Sequence, residues 1–153
     1  MKKIIVLLLF PILLSAQGDV VTKEKTDWIT NYDQAIKLAK KEKKNILMFF
    51  TGSDWCPPCI ALKRDFLETS AFDVYANEYI LLYIDIPRNK DLLTADQLKS
   101  NKELAAKYNK RGSVPMLKVV NKEGNELGEM SGYSMNGEIK YHTKFLEKYK
   151  KKI

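Results

Sequence analysis

The chain has very few of the side chains on which most protein chemistry depends. Its 153 residues include two cysteines, Cys56 and Cys59, and one histidine, His142. Two cysteines cannot form a framework of several disulfides, and structural zinc takes four nitrogen or sulfur ligands. A single histidine also argues against a protease that pairs cysteine with histidine. The two thiols are therefore either a redox pair or part of a metal site.

The apolar run near the N-terminus is too short to predict a membrane-spanning helix. Residues Ile4–Leu14 are interrupted by Pro11, whereas a spanning helix needs about 20 apolar residues. The run follows Lys2-Lys3 and precedes Ser15-Ala16-Gln17, which is the pattern of a secretory signal peptide. We predict a signal peptide over residues 1–16 and an exported protein without a stable membrane anchor. The periplasm is favoured over full secretion, and no cysteine follows the run to carry a lipid.

Positive charge is in excess, but its pattern is not that of a nucleic-acid-binding surface. The formal net charge is +7, and lysines cluster at 40–44 and 148–152 without interleaved aromatic residues. Such clusters are typical of solvated helix faces. We therefore expect no nucleic acid partner.

The rest of the chain has the length of a single domain. Residues 17–26 are polar and are predicted to form a flexible lead-in. Residues 27–153 suffice for one hydrophobic core and are too few for two domains of ordinary size. We expect a monomer, because the chain has no room for an added dimerisation domain.

Hydrophobic periodicity and capping residues predict alternating helices and strands. The predicted elements are a helix from Asn31 to about Lys43, a strand over Ile46–Phe50, a helix opened by Cys56, a short helix Ala71–Glu78 capped by Ser70, a strand Tyr79–Ile86, a helix from Thr94 to about Tyr108, a hairpin of Met116–Val120 and Glu126–Met130, and a last helix capped by Asn136. Strands that alternate with helices pair in parallel, and the predicted hairpin adds an antiparallel pair of strands. The predicted fold class is α/β, with a mixed central sheet flanked by helices on both faces.

The spacing of the two cysteines suits reversible disulfide chemistry. Cys56 is placed at a helix start, where unpaired backbone N–H groups and the helix dipole favour the thiolate, which is the nucleophile. Cys59 lies one turn further along the same face, within reach of a mixed disulfide on Cys56. Pro57 and Pro58 fit the first helical turn and stiffen the loop. We interpret Cys56 as the attacking thiol and Cys59 as the resolving thiol.

A metal site is the competing interpretation. It would use Cys56, Cys59 and His142, for instance to bind copper, but His142 is far along the chain and is expected at a helix surface or interface. Redox chemistry is favoured, with no metal and no cofactor beyond the dithiol itself.

The motif and its context resemble a known family. Trp55-Cys56-Pro57-Pro58-Cys59 follows an apolar strand, and Val114-Pro115 precedes a hairpin, as in the thioredoxin superfamily. The string from Phe50 to Cys59 is similar to an exported bacterial subgroup of thiol:disulfide interchange, or disulfide-isomerase-like, proteins. The resemblance covers roughly residues 27–149 and implies a thioredoxin-like domain over 27–153, with a C-terminal hairpin and final helix.

The resemblance implies three further roles near the dithiol. Pro115 would follow a cis peptide bond beside the two cysteines. The backbone of Val114 would pair with an extended substrate, a form of strand addition. Trp55 would form a flat apolar platform beside the nucleophile. The implied partners are protein thiols and disulfides, together with a redox partner that recycles the dithiol.

The chain also departs from thioredoxin itself. Phe49 and Leu81 occupy the positions of its buried acid and nearby lysine, so water or Asp54 would have to accept the proton of Cys59. The first residue between the cysteines is Pro57 where thioredoxin has glycine, so the redox potential does not carry over. Residues 87–102 form a longer connection, which either shapes partner choice or is a surface elaboration.

These observations predict an exported thiol:disulfide oxidoreductase, with reductase or isomerase favoured over oxidase. The alternative is a dedicated thioredoxin-fold thiol carrier for cytochrome c maturation, or a metal-chaperone-like binding module.

Overall fold

Four strands form one mixed sheet in a computed structural model that describes residues 27–150. The predicted signal peptide and lead-in lie outside the described residues. The strands are β1 (Asn45–Thr51), β2 (Tyr79–Asp85), β3 (Met116–Val120) and β4 (Glu126–Ser131). The helices are α1 (Tyr32–Glu42), α2 (Pro57–Leu62), which continues as a π-helical turn at Lys63–Leu67, α3 (Ser70–Ala76), α4 (Ala95–Tyr108) and α5 (Lys140–Tyr149), with a 3₁₀ turn at Lys90–Leu92.

The sheet has the mixed arrangement that the sequence predicts. Its order is β2-β1-β3-β4, with β1 parallel to β2 and antiparallel to β3, and the β3–β4 hairpin antiparallel. β1 lies at the centre and is buried on both faces, which explains its unbroken apolar sequence. Ile29 forms a parallel bridge with Leu82 at the outer side of β2.

Alternate residues of β1 face two separate cores. Leu47 and Phe49 pack in the cluster that contains both cysteines and residues of α2 and α5. Ile46, Met48 and Phe50 pack in a second cluster with residues of α1 and α4. This alternation follows from the period of two in a strand, and it confirms helices on both faces of the sheet.

Two of the predicted helix caps are confirmed. The Asn31 side chain accepts a hydrogen bond from Gln34 N at 2.8 Å, and α1 begins at the next residue, Tyr32. The Thr94 side chain accepts one from Gln97 N at 3.2 Å at the start of α4. Both side chains satisfy first-turn N–H groups that have no partner within the helix.

The other two predicted caps are wrong. α3 already includes Ser70, and the preceding Thr69 donates its hydroxyl to Phe66 O, so neither side chain caps the helix. The last helix begins at Lys140 rather than after Asn136. Asn136 instead accepts a hydrogen bond from Glu138 N, in a turn where Gly137 has φ +77°. That left-handed conformation separates Asn136 from the helix.

Of the two positions expected for His142, a helix surface or an interface, the structure shows a buried interface of α5. It is 4% exposed and packs against the rings of Tyr133 and Phe66, with centroid distances of 5.6 and 6.2 Å. His142 lies one turn before the buried Leu146, so the inward stripe of α5 includes it. Burial lowers the pKa of His142, against the opposing effect of a hydrogen bond with the Gly132 backbone.

A hydrogen-bonded path joins α4 to the end of β2. Asn101 is buried, and its Nδ2 donates to Asp85 O at 2.7 Å. Gln97 Nε2 donates to Asn101 Oδ1 at 2.8 Å and to Thr30 O at 3.1 Å. Because a buried amide must be hydrogen-bonded, this path fixes the position of Asp85.

His142 should make the stability of the fold depend on pH. Its folded-state pKa lies below the ordinary value of 6.5, so around and below pH 6.5 the unfolded chain binds more protons at this site than the folded chain does. The contribution of His142 to the free energy of unfolding should therefore be complete above about pH 6.5 and should decrease as the pH falls below that value. The measurement is a series of denaturant titrations between about pH 5.5 and 7. This range lies above the ordinary pKa values of Asp and Glu side chains, so their protonation contributes little.

His142 is the sole histidine of the chain, so the variant His142→Gln should flatten that pH profile. A variant that keeps the slope of the parent protein would contradict this assignment, whatever its absolute stability.

Removing the buried amide of Asn101 should destabilise the fold. Asn101→Ala leaves Asp85 O without its donor, at an expected cost of about 1–3 kcal/mol in the free energy of unfolding. Lys99→Ala, at an exposed position of the same helix, is the matched control and should change it by less than about 0.5 kcal/mol. Equal unfolding midpoints for the two variants in denaturant would contradict the prediction.

Candidate active site

The two cysteines are joined by a disulfide at the start of α2. Cys56 is the N-cap residue, with extended backbone at φ −107° and ψ 92°, and Cys59 lies in the first helical turn. Their exposed fractions are 4% and 1%. The predicted placement of Cys56 at a helix start is therefore confirmed.

The prolines determine which backbone donor contacts the Cys56 sulfur. Pro57 and Pro58 occupy the first two helical positions and have no N–H. The first N–H of the helix therefore belongs to Cys59, and it donates to Cys56 Sγ at 3.3 Å. An N-cap side chain usually has two backbone N–H groups within reach, those of the second and third helical residues. The Cys56 sulfur has one, that of Cys59.

Trp55 is held in a fixed orientation beside the dithiol. Its Nε1 donates to Ile86 O at 2.8 Å, and the half-buried ring packs against the cluster that contains both cysteines. The ring also lies against Gly52, where an added Cβ would clash with the Trp55 ring. Gly52 is therefore required by the close approach of the indole, a constraint that the sequence alone does not show.

The Val114–Pro115 peptide bond is cis, as the resemblance to thioredoxins implies. Pro115 is buried, and Gly132 N donates to its carbonyl at 2.8 Å. Val114 is half-buried directly before β3 and packs against the cluster of the two cysteines. The pairing of Val114 with a substrate stays a prediction.

The dithiol loop is bonded to the segment that follows β2. The buried carboxylate of Asp85 accepts from Ser53 N at 2.9 Å and from the Ser53 hydroxyl. In the reverse direction, Asp54 accepts from Arg88 N at 3.0 Å and from Asn89 N at 2.8 Å. We call this reciprocal pair, Asp85 with Ser53 and Asp54 with residues 88–89, the loop interlock. Its partners are more than 30 residues apart, and sequence analysis did not find it.

The loop interlock makes Asp54 a poor proton acceptor for Cys59. The backbone N–H of Asn89, with a contribution from that of Arg88, lowers the pKa of the Asp54 carboxyl. Both of its oxygens already accept hydrogen bonds. A carboxylate with a lowered pKa and occupied oxygens is a weak base.

The sheet surface that packs with the dithiol is apolar at the positions expected from the sequence. Phe49 and Leu81 are buried in the same cluster as Cys56 and Cys59. Tyr83 lies opposite Phe49 in the sheet register, and burial raises its pKa to about 12. It therefore keeps its proton near neutral pH.

Arg88 stacks on the indole of Trp55. Its guanidinium carbon lies 4.9 Å from the ring centroid, within the range of a cation–π interaction. Arg88 belongs to the connection over residues 87–102, which continues through the 3₁₀ turn into α4. Pro87-Arg88 is one of the short fragments that resemble the exported subgroup, but nothing local in the sequence indicates that Arg88 contacts Trp55.

The described residues do not form a metal site. Within residues 27–150, no group of three or more His, Cys, Asp or Glu side chains is placed to hold a metal ion. The structure therefore does not bring His142 together with Cys56 and Cys59 in such a group. Over the same residues, no helix has the length and apolarity needed to cross a membrane.

Comparison with known proteins identifies the family. The profile of the thioredoxin-like domain matches residues 32–147. The "Disulfide bond reductase DsbH" of Chlamydia pneumoniae is 34% identical over 115 residues, which span 74% of this chain and 68% of that protein.

Solved structures agree with this assignment. The structure of a "DsbH Oxidoreductase" has a TM-score of 0.74 and 29% identity, covering 89% of this chain and 92% of that one. A disulphide isomerase from Xylella fastidiosa Temecula1, at 21% identity, has a TM-score of 0.50 over 76% of this chain and 86% of its own, and shares the fold alone. The chain therefore belongs to the thioredoxin superfamily, in its bacterial Dsb-like subgroup, and is a thiol:disulfide oxidoreductase.

Proposed function

We propose that the chain is an exported, periplasmic reductase of protein disulfides that works as a monomer. The observation on which this mainly rests is a cysteine pair at a helix N-terminus with a single backbone donor to Cys56. The name of the similar protein from C. pneumoniae, a disulfide bond reductase, supports the same direction. The signal-peptide pattern supports export, and the partners are then protein disulfides and a dithiol donor.

The reaction follows from the order of the two cysteines. The Cys56 thiolate attacks one sulfur of a substrate disulfide, and the other substrate sulfur leaves as a thiolate that takes up a proton. Cys59 then loses its proton and attacks Cys56 Sγ. The second substrate sulfur leaves, and the Cys56–Cys59 disulfide seen in the structure forms. Two electrons from a partner dithiol restore the starting state.

The missing backbone donors favour the reducing direction. Each N–H that contacts the Cys56 sulfur stabilises the thiolate and so the reduced protein. Reduced proteins stabilised in this way are strong oxidants. With proline at positions 57 and 58, the first helical turn offers only Cys59 N. The reduced form is thus less stabilised than in a loop with further donors, and the dithiol gives up its electrons more readily.

Replacement of the resolving cysteine should trap substrates on the protein. Cys59→Ser lets Cys56 form mixed disulfides but removes the thiol that releases them. The full chain with this change should accumulate covalent adducts, which reductant dissolves. Cys56→Ser is the matched control and should accumulate markedly fewer.

The identity of the trapped proteins separates the possible roles. Several different clients support a general reductase, whereas one client indicates a dedicated thiol carrier. Absence of any adduct from Cys59→Ser would overturn the proposed reaction.

The two prolines should differ in their effect on the redox equilibrium. An N-cap side chain accepts from the second or third helical N–H, so Pro58→Ala adds a donor aimed at Cys56 while Pro57→Ala does not. Pro58→Ala should lower the pKa of the Cys56 thiol and shift the equilibrium with glutathione toward reduced protein, by about threefold to tenfold. Pro57→Ala is the matched control.

Equal shifts in the two variants would contradict the role of the Pro58 position. A strongly oxidising equilibrium for the unaltered protein would overturn the reductase assignment itself.

A further inference from the structure

We propose that Arg88 is a specificity-determining residue, which favours substrate disulfides flanked by an acidic side chain. This inference rests on the proposed function, because it concerns how a substrate of the dithiol is selected.

Arg88 is held over Trp55 by several independent contacts. Its backbone N donates to Asp54 Oδ1 at 3.0 Å, and its guanidinium stacks on the indole at 4.9 Å. The indole is fixed in turn by its hydrogen bond to Ile86 O. Trp55 directly precedes Cys56, and we infer that a chain which presents its disulfide to Cys56 comes within reach of the guanidinium stacked on that indole.

The guanidinium keeps N–H donors that no salt bridge of the described residues uses, although its charge already attracts the Asp54 carboxylate. Arg88 is exposed, and no ion pair to it occurs among the salt bridges of residues 27–150. Stacking on a ring uses the flat face of the group and leaves the N–H donors at its edge available. Those donors match the two oxygens of a carboxylate, which is the side-chain partner that arginine binds in bidentate fashion.

Asp54 limits the size of the effect without removing it. Its carboxylate lies in the same loop interlock and keeps its negative charge, because backbone hydrogen bonds lower its pKa. That charge opposes an acidic substrate and already interacts with the charge of Arg88. The hydrogen bonds that the Asp54 oxygens accept come from backbone N–H groups, those of Arg88 and Asn89. An exposed pair of this kind contributes about 0.2–1 kcal/mol, which corresponds to a preference of up to about fivefold.

The test compares two substrates that differ in one group. Two peptides carry the same disulfide and have either Glu or Gln beside one cysteine. The full chain is reduced beforehand and mixed with each peptide in a single turnover, so no recycling partner is needed. The ratio of the two second-order rate constants, Glu over Gln, is the readout.

The unaltered protein should favour the Glu peptide about threefold at low salt, and added salt should reduce the preference. Arg88→Gln should bring the ratio to about one. Lys90→Gln removes a positive charge from an exposed residue of the same connection and should keep the ratio. Each ratio is taken within one protein, so differences in folding or overall reactivity cancel.

The failures of the two proposals are distinguishable. If the reduced chain transfers electrons to neither peptide, the proposed function is wrong. If it reduces both peptides but shows no preference, or keeps its preference in Arg88→Gln, only the role of Arg88 is overturned. Equal loss of preference in Arg88→Gln and Lys90→Gln would mean that net charge, and not the stacked guanidinium, selects the substrate.

Discussion

The loop interlock is the constraint on which the rest of the active site depends. Asp85 and Asp54 are carboxylates on opposite sides of the contact, and together they accept four hydrogen bonds between the dithiol loop and the end of β2. Hydrogen bonds to ionised acceptors are roughly twice as strong as neutral ones. Because Trp55 and Cys56 directly follow Ser53 and Asp54 in the chain, the loop interlock sets their positions relative to the sheet.

The same arrangement also affects which group is suited to accept the proton of Cys59. The sheet face that packs with the cysteines carries Phe49 and Leu81, and the Asp85 carboxylate is bonded to Ser53. Asp54 is a weak base. Of the two acceptors expected from the sequence for the proton of Cys59, water and Asp54, Asp54 is therefore poorly suited. A buried acid in place of Phe49, without a compensating cation in place of Leu81, would destabilise the fold. Two apolar residues at these positions avoid that cost.

Local patterns in the sequence were enough to predict most of the fold. The strand at residues 46–50 and the caps Asn31 and Thr94 depend on neighbouring residues, and the structure confirms them. The predicted cap at Asn136 is wrong because Gly137 turns the chain before the helix begins. His142 is buried by tertiary packing, which its residue type alone does not indicate. The Cys56–Cys59 pair is likewise local. The contacts that orient it join residues more than 30 positions apart, and no local periodicity records them.

A loop held this firmly also limits how the protein distinguishes its substrates. The indole packs where a Cβ at position 52 would lie, and Pro57 and Pro58 restrict the helix start. Selection by closure of the loop around a substrate would require breaking the loop interlock. A preference without such a change requires groups that are already exposed beside the dithiol. Arg88 meets that requirement, because the bonds that fix the loop also place its guanidinium over Trp55.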